Sequence, residues 1–198
     1  MIRNKRELHK YIEEDRKANY GLKNPSFITF AKHYILNTDS YKVSRYLKIL
    51  RYCEYWDYKR NSNRQLLFKY FSSLLYTICR VRLSILQGKY SINISPNMVG
   101  YGLRIPHLNG GVVINCISMG NHCQVNGGCV IGKKFNNENR AIIGDGVELC
   151  VGSKVIGRVN VGSHSIIALN SVVIKNVDDF SVVSGIPAKI IKKNERNV

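Results

Sequence analysis

His107 lies in an irregular, glycine-flanked stretch, Leu-Arg-Ile-Pro-His-Leu-Asn-Gly-Gly, residues 103–111. A histidine beside two glycines on an irregular stretch can approach a ligand closely, and an imidazole can exchange a proton near neutral pH. The alternative is a surface histidine without a role. His9 and His33 stand alone on helical stretches and read as structural or solvated. Cys53, Cys79, Cys116, Cys123, Cys129 and Cys150 form no CxxC pair and no ligand-spaced cluster, which predicts reduced, packed thiols and no metal.

The elements that would position His107 follow from a rhythm of six. Met119, Val125, Ile131, Ile143, Leu149, Val155, Val161, Ile167 and Val173 succeed one another at that spacing, with one step of twelve between Ile131 and Ile143. Four residues after each comes a small or branched side chain: Cys123, Cys129, Val147, Ser153, Val159, Ser165, Ser171 and Val177, with Phe135 the exception. A helix returns its apolar face near every 3.6 residues and a strand every two, so neither gives two inward positions at a fixed six. A chain that turns a corner every six residues does. Three faces make a coil of about eighteen residues, and coils stack about 4.8 Å apart with large aliphatics over one another and small residues in the corners.

This pattern predicts a left-handed parallel β-helix of hexapeptide repeats over residues 93–178, preceded by an α-helical domain. It reads Cys123 and Cys129 as corner residues and 133–140, Lys-Lys-Phe-Asn-Asn-Glu-Asn-Arg, as an outward loop. Val99 to Met119 is two residues longer than a regular coil, so the coil carrying His107 is predicted to be distorted.

Composition breaks near residue 90. Only Gly21 and Gly88 of 16 glycines precede residue 91, and every tyrosine except Tyr101 does. The boundary is placed at 1–90 and 91–198. In the first part Asn4 and Glu7 have the spacing of a capping box, and Asn24-Pro25 marks a second helix start ahead of Phe27, Phe30, Ala31 and Tyr34. Val43, Tyr46, Leu47 and Leu50 give a third stripe. Leu66, Leu67, Tyr70, Phe71, Leu74 and Leu75 give a fourth, expected to pack against the other helices, a neighbouring subunit or the second domain.

Charge follows the same division: residues 1–90 carry +12 of the total +17. That field suits an anionic surface or a phosphorylated ligand as well as a solvated helical face, but no basic run accompanies a nucleic-acid motif, and no nucleic-acid partner is expected. The first residues lack an apolar signal core, and Lys69, Arg80 and Arg82 interrupt the most apolar segment, residues 66–86. A cytoplasmic protein is expected, with peripheral membrane contact through the basic domain as a hypothesis.

The repeat, the coil with His107, the protruding loop and the closing Ser-Gly-Ile-Pro-Ala-Lys, residues 184–189, resemble the serine acetyltransferase family, and most of all its branch that acetylates sugar hydroxyls in polysaccharide biosynthesis. The resemblance implies an acetyl-CoA-dependent O-acetyltransferase, a homotrimer or dimer of trimers, with active sites between neighbouring prisms. It makes His107 the general base that takes the proton of the attacking hydroxyl, with Asn93 at the place of the aspartate that orients it and the amides of Gly110 or Gly111 as candidate donors to the oxyanion. Asn109, Gly110, Asn115 and Arg140 become candidate acceptor contacts. Coenzyme A would lie along the later coils against Ser153, Ala168, Leu169, Gly185, Pro187, Ala188 and Lys189, with Lys175 and Lys192 as further phosphate partners.

The sequence also departs from the family. Pro106, Asn115 and Asn93 stand where serine acetyltransferases carry acidic residues, and Arg140 and Ala141 stand near the place of a second histidine. An amino-acid acceptor brings an ammonium that calls for a carboxylate. A sugar hydroxyl is therefore the expected acceptor, with serine O-acetylation, as in cysteine biosynthesis, as the alternative. A noncatalytic scaffold is the reading from another class. A zinc hydratase on the same prism would need three converging histidines, and His107, His122 and His164 lack the close pair such a site uses.

Overall fold

The structure is a computed structural model describing residues 2–21, 26–62, 65–134 and 139–193. The predicted helix start at Asn24-Pro25, the side chains of Phe27 and Phe30, and Phe135 lie outside the described residues.

Helix α1 (Lys5–Tyr20) begins at the expected capping box. The Asn4 carboxamide accepts the Glu7 amide at 2.9 Å, and the Glu7 carboxylate accepts the Arg3 amide at 2.7 Å, so two amides that the first turn leaves open are satisfied. Helix α2 (Phe27–Ile35) is capped by Ser26. Helix α3 (Asp39–Ser62) buries the whole predicted stripe of Val43, Tyr46, Leu47 and Leu50.

In helix α4 (Leu66–Tyr90) the predicted stripe is not covered within the chain. Ser72, Leu83, Leu86 and Tyr90 turn inward, whereas Leu66, Leu67, Tyr70, Phe71 and Leu74 are exposed in the single chain. The helix is apolar on more than one side, and α3 covers only one of them. Among the described residues no helix is long and apolar enough to cross a membrane.

Strands follow from residue 92: β1 (Ile92–Ile94), β2 (Val112–Ile114), β3 (Ser118–Met119), β4 (Gln124–Val125), β5 (Cys129–Gly132), β6 (Ile142–Ile143), β7 (Glu148–Leu149), β8 (Lys154–Ile156), β9 (Asn160–Val161), β10 (Ile166–Ile167), β11 (Val172–Val173), β12 (Ser181–Gly185) and β13 (Ala188–Lys193). They stack into three sheets, β1-β2-β5-β8-β11, β4-β7-β10-β12-β13 and β3-β6-β9, parallel throughout except for the closing β12–β13 hairpin. The three sheets are the faces of a left-handed parallel β-helix.

Every described position of the six-residue pattern is inside it. The large aliphatics from Met119 to Val173 and the small residues from Cys123 to Val177 are all at most 6% exposed. In the regular coils Ile143 pairs with Val161, Leu149 with Ile167 and Val155 with Val173, eighteen residues on. Ile131 pairs instead with Val155, 24 residues on, so the segment around 133–140 takes one hexad out of the stack. The first coil is the long one: Ile94 pairs with Ile114 and Val99 with Met119, each 20 residues on.

Two corners of the prism are formed by residues with left-handed backbone. One column is Gly102, His122, Gly146, His164 and Phe180; the other is Gly110, Gly128, Gly152 and Asn170. In the first column the His122 ring lies where a Cβ on Gly102 would be, and the His164 ring where one on Gly146 would be, so each of these histidines requires a glycine in the coil before it, while at the top His164 and Phe180 stack their rings. The second column keeps its first three members free of side chains.

Candidate active site

The coil that carries His107 has few ladder partners, and the helices satisfy its backbone instead. Tyr46 of α3 donates to the Ile94 carbonyl at 3.0 Å and accepts the Ile94 amide at 3.1 Å. Burial pushes its phenol up to about 12, against the hydrogen bonds with Gln87 and Ile94, which act to lower it. Glu54 accepts the Asn97 amide at 2.8 Å. Arg51, fully buried, donates to the carbonyls of Val99 (2.9 Å) and Gly100 (2.6 Å) while bonding the carboxylates of Asp15 and Glu54. Asp15 of α1 accepts the amides of Gly102 and Leu103, and Asn19 accepts that of Ile105. The last of these contacts comes from the first residue of α3: Asp39 accepts the Leu108 amide at 3.2 Å.

His107 itself is exposed, between the buried Ile105 and the half-buried Leu108. Below its turn runs Gly127, whose hypothetical Cβ would stand 2.1 Å from the Asn109 carbonyl oxygen and 3.1 Å from that of His107. The Gly111 amide is engaged with the Leu108 carbonyl at 3.0 Å, so it is not available to an oxyanion. Gly110 is the remaining candidate, at φ 81° on the side-chain-free corner.

Asn109 and Gly110 share the turn with His107. Asn93 lies on the outward side of β1, exposed, in register with Val113 of β2. Among the described residues no hydrogen bond joins Asn93 to His107, so the assignment of Asn93 as the group that orients the ring gains no geometric support. Arg140 lies at a different corner, where its guanidinium donates to the carbonyl of Cys116, the residue after Asn115, at 3.3 Å.

Ser153 is corrected by the structure. It is a corner residue facing the prism interior, fully buried, its hydroxyl 3.4 Å from the Cys129 sulfur, and it cannot offer that hydroxyl to a ligand on the surface. Its sequence position was consistent with this, because it belongs to the small-residue series. Ala168, Leu169, Gly185, Pro187, Ala188 and Lys189 do come together at the surface. Ala168 donates its amide to Val183, Gly185 donates to the Ser171 hydroxyl, and Gly185 faces Ala188 across the hairpin turn, which contains a cis Ile186–Pro187 bond. Leu169 is 65% exposed beside them. Lys175 and Lys192 are also exposed.

These two groups share an edge. From Gly110 the corner column climbs through Gly128 and Gly152 to Asn170, next to Leu169, a rise of about 14 Å at about 4.8 Å per coil. The cysteines beside this edge contribute no nucleophile: Cys129 is buried, and burial pushes the Cys150 thiol up. His122 and His164 pack their rings on Tyr101 and Phe180, and among the described residues no group of three His, Cys, Asp or Glu side chains is placed to hold a metal.

Comparison with known proteins points one way. The similarity is to serine acetyltransferases. The enzyme of Buchnera aphidicola subsp. Acyrthosiphon pisum is 32% identical over 116 residues, covering 56% of this chain and 42% of its own length. That of Staphylococcus aureus strain Mu50 is 30% identical over 129 residues, covering 64% of this chain and 61% of its own. The chain thus spans roughly two fifths to three fifths of these curated relatives. No family model matches.

Among solved structures, the serine O-acetyltransferase of Brucella melitensis superposes with a TM-score of 0.68 at 24% identity, over 96% of this chain and 71% of that one. The Neisseria gonorrhoeae enzyme gives 0.66 at 21% identity, over 97% and 67%. A further serine acetyltransferase, solved as a complex with CoA, gives 0.59 at 20% identity. These establish the architecture, helical part included. The expectation of the sugar-acetylating branch, and that of membrane contact, find no support among these relatives.

Proposed function

We propose that this chain is an acetyl-CoA-dependent O-acetyltransferase in which His107 accepts the proton of an acceptor hydroxyl as its oxygen attacks the thioester carbonyl. The C–O bond forms, the C–S bond breaks, and the proton passes from the imidazolium to the departing sulfur, leaving acetyl ester and CoA. The observation that carries this reading is the edge itself: an exposed His107 turn at its start, glycines along it, and the Ala168–Leu169 segment with the 185–189 hairpin at its end. Three successive glycines in the column let a long, narrow pantetheine arm lie against backbone, beside the Lys154 ammonium that donates to the carbonyls of Gly128 and Gly152. The Gly110 amide is the oxyanion donor in this scheme. The exposure of His107 in the single chain supports a cleft completed by a neighbouring copy, in a trimer or a dimer of trimers.

Serine is the first acceptor to consider, because the similar proteins named above are serine acetyltransferases. A sugar hydroxyl is the second reading, and one observation favours it. Asn93, Pro106 and Asn115 provide no carboxylate for an ammonium, and the nearby Asp39 already pairs with Lys42 at 3.1 Å. Acetyl-CoA consumption by the purified chain, offered serine and then a panel of glycans, separates the two. Serine turnover without sugar turnover establishes the first, and the converse establishes the second. Acetyl-CoA binding without turnover of any acceptor would leave a noncatalytic binding protein.

A further inference from the structure

We infer that Asp39 is the positioning residue for His107, acting through the backbone of Leu108. This rests on the role proposed for His107 and adds to it the means by which the helices hold the imidazole in place.

Asp39 opens α3, with the Thr38 hydroxyl accepting the Tyr41 amide behind it, and one of its carboxylate oxygens accepts the Leu108 amide while the other meets Lys42. The helix it belongs to is itself fixed to the solenoid by Tyr46, Arg51 and Glu54, each bonded to backbone of the first coil. A carboxylate at the end of such an anchored helix is a stationary acceptor. The Leu108 amide it holds is part of the peptide unit that follows His107, so moving that peptide rotates the Cα–Cβ bond of the imidazole. Without Asp39 the ends of the turn stay tied, by Asn19 to the Ile105 amide and by the Gly128 amide to the Gly111 carbonyl, and the Leu108–Gly111 bond persists, but the peptide that joins His107 to Leu108 loses the contact at its amide. Because a misplacement of about 1 Å can cost about a hundredfold in rate, a single amide contact here controls turnover.

Asp39 is about a third exposed and lies at a helix end, so its removal leaves the core of α3 intact. The sequence separation of 69 residues keeps this contact invisible to any local pattern.

The test compares Asp39→Ala and Asp39→Asn with His107→Ala in the full chain. The readout is CoA thiol release from acetyl-CoA, with serine as acceptor or, where serine is not turned over, with the hydroxyl compound found by the glycan panel or water. Asp39→Ala is expected to lower kcat about 10- to 100-fold, with the KM for acetyl-CoA within about twofold of wild type and the thermal midpoint nearly unchanged. Asp39→Asn loses the Lys42 ion pair as well but keeps an oxygen that accepts the Leu108 amide, and it should recover kcat to within about threefold. Wild-type kcat in Asp39→Ala alongside an inactive His107→Ala overturns the inference and leaves the proposed function standing. An Asn variant as impaired as the Ala variant also overturns it, since charge rather than the amide contact would then matter. Full turnover in His107→Ala instead removes the proposed function beneath it.

Discussion

No side chain fits at Gly127, where a Cβ would stand 2.1 Å from the Asn109 carbonyl oxygen. Gly127→Ala should therefore displace the His107 turn and lower acetyl transfer by about tenfold or more, measured as initial rates at saturating acetyl-CoA; an unaffected rate would separate the turn from the chemistry. Tyr46 offers a second check at this scale. Its phenol is pushed up to about 12, so the folded chain holds the proton more tightly than the unfolded chain, whose tyrosine titrates near 10. The contribution to stability is full below about pH 10 and is lost as pH rises towards 12. Tyr46→Phe should flatten the fall in urea midpoint between pH 9 and pH 11. The irregular coil that carries His107 was legible in the sequence because the rhythm breaks there, and Ser153 was misassigned although the same rhythm placed it inside. Asp39 and Gly127 were not legible, since the contacts that give them meaning cross from a helix or from the next coil.

Among the elements, α3 does the most to set the site. It is anchored along its length by polar side chains that reach the backbone of the first coil, and Arg51 is the centre of that contact, between Asp15 and Glu54. Removing one member of a buried charged cluster leaves the others unpaired, which costs about 3–5 kcal/mol. Arg51→Met should lower stability by that amount in chemical denaturation, and a change below about 1 kcal/mol would show that the cluster relaxes around the loss. The stripe of Val43, Tyr46, Leu47 and Leu50 was readable from spacing alone. Arg51 was not, because a cation beside a stripe reads as surface, and its burial depends on the two carbonyls the irregular coil presents. The stripe on α4 was readable as apolar but not as outward-facing, since periodicity identifies a face and does not say what covers it.

At the scale of the molecule, the solenoid was the most legible feature, because each hexad repeats the same inward pair and stacking makes local agreement global. The distorted first coil was foreseen from its two extra residues, but its grip by α1 and α3 was not. If active sites lie between copies, sedimentation should report three chains of 22.5 kDa or a multiple of three, and a stable monomer at micromolar concentration would count against a shared cleft. The exposed Leu67, Phe71 and Leu74 of α4 give the single chain apolar surface that such an assembly can bury. The most direct test of the whole account is acetyl transfer by purified His107→Ala, followed as CoA release with the acceptor the screen identifies. The rate should fall at least about a hundredfold while thermal unfolding and assembled mass stay as in wild type. A folded, correctly assembled variant with near-normal turnover would contradict it.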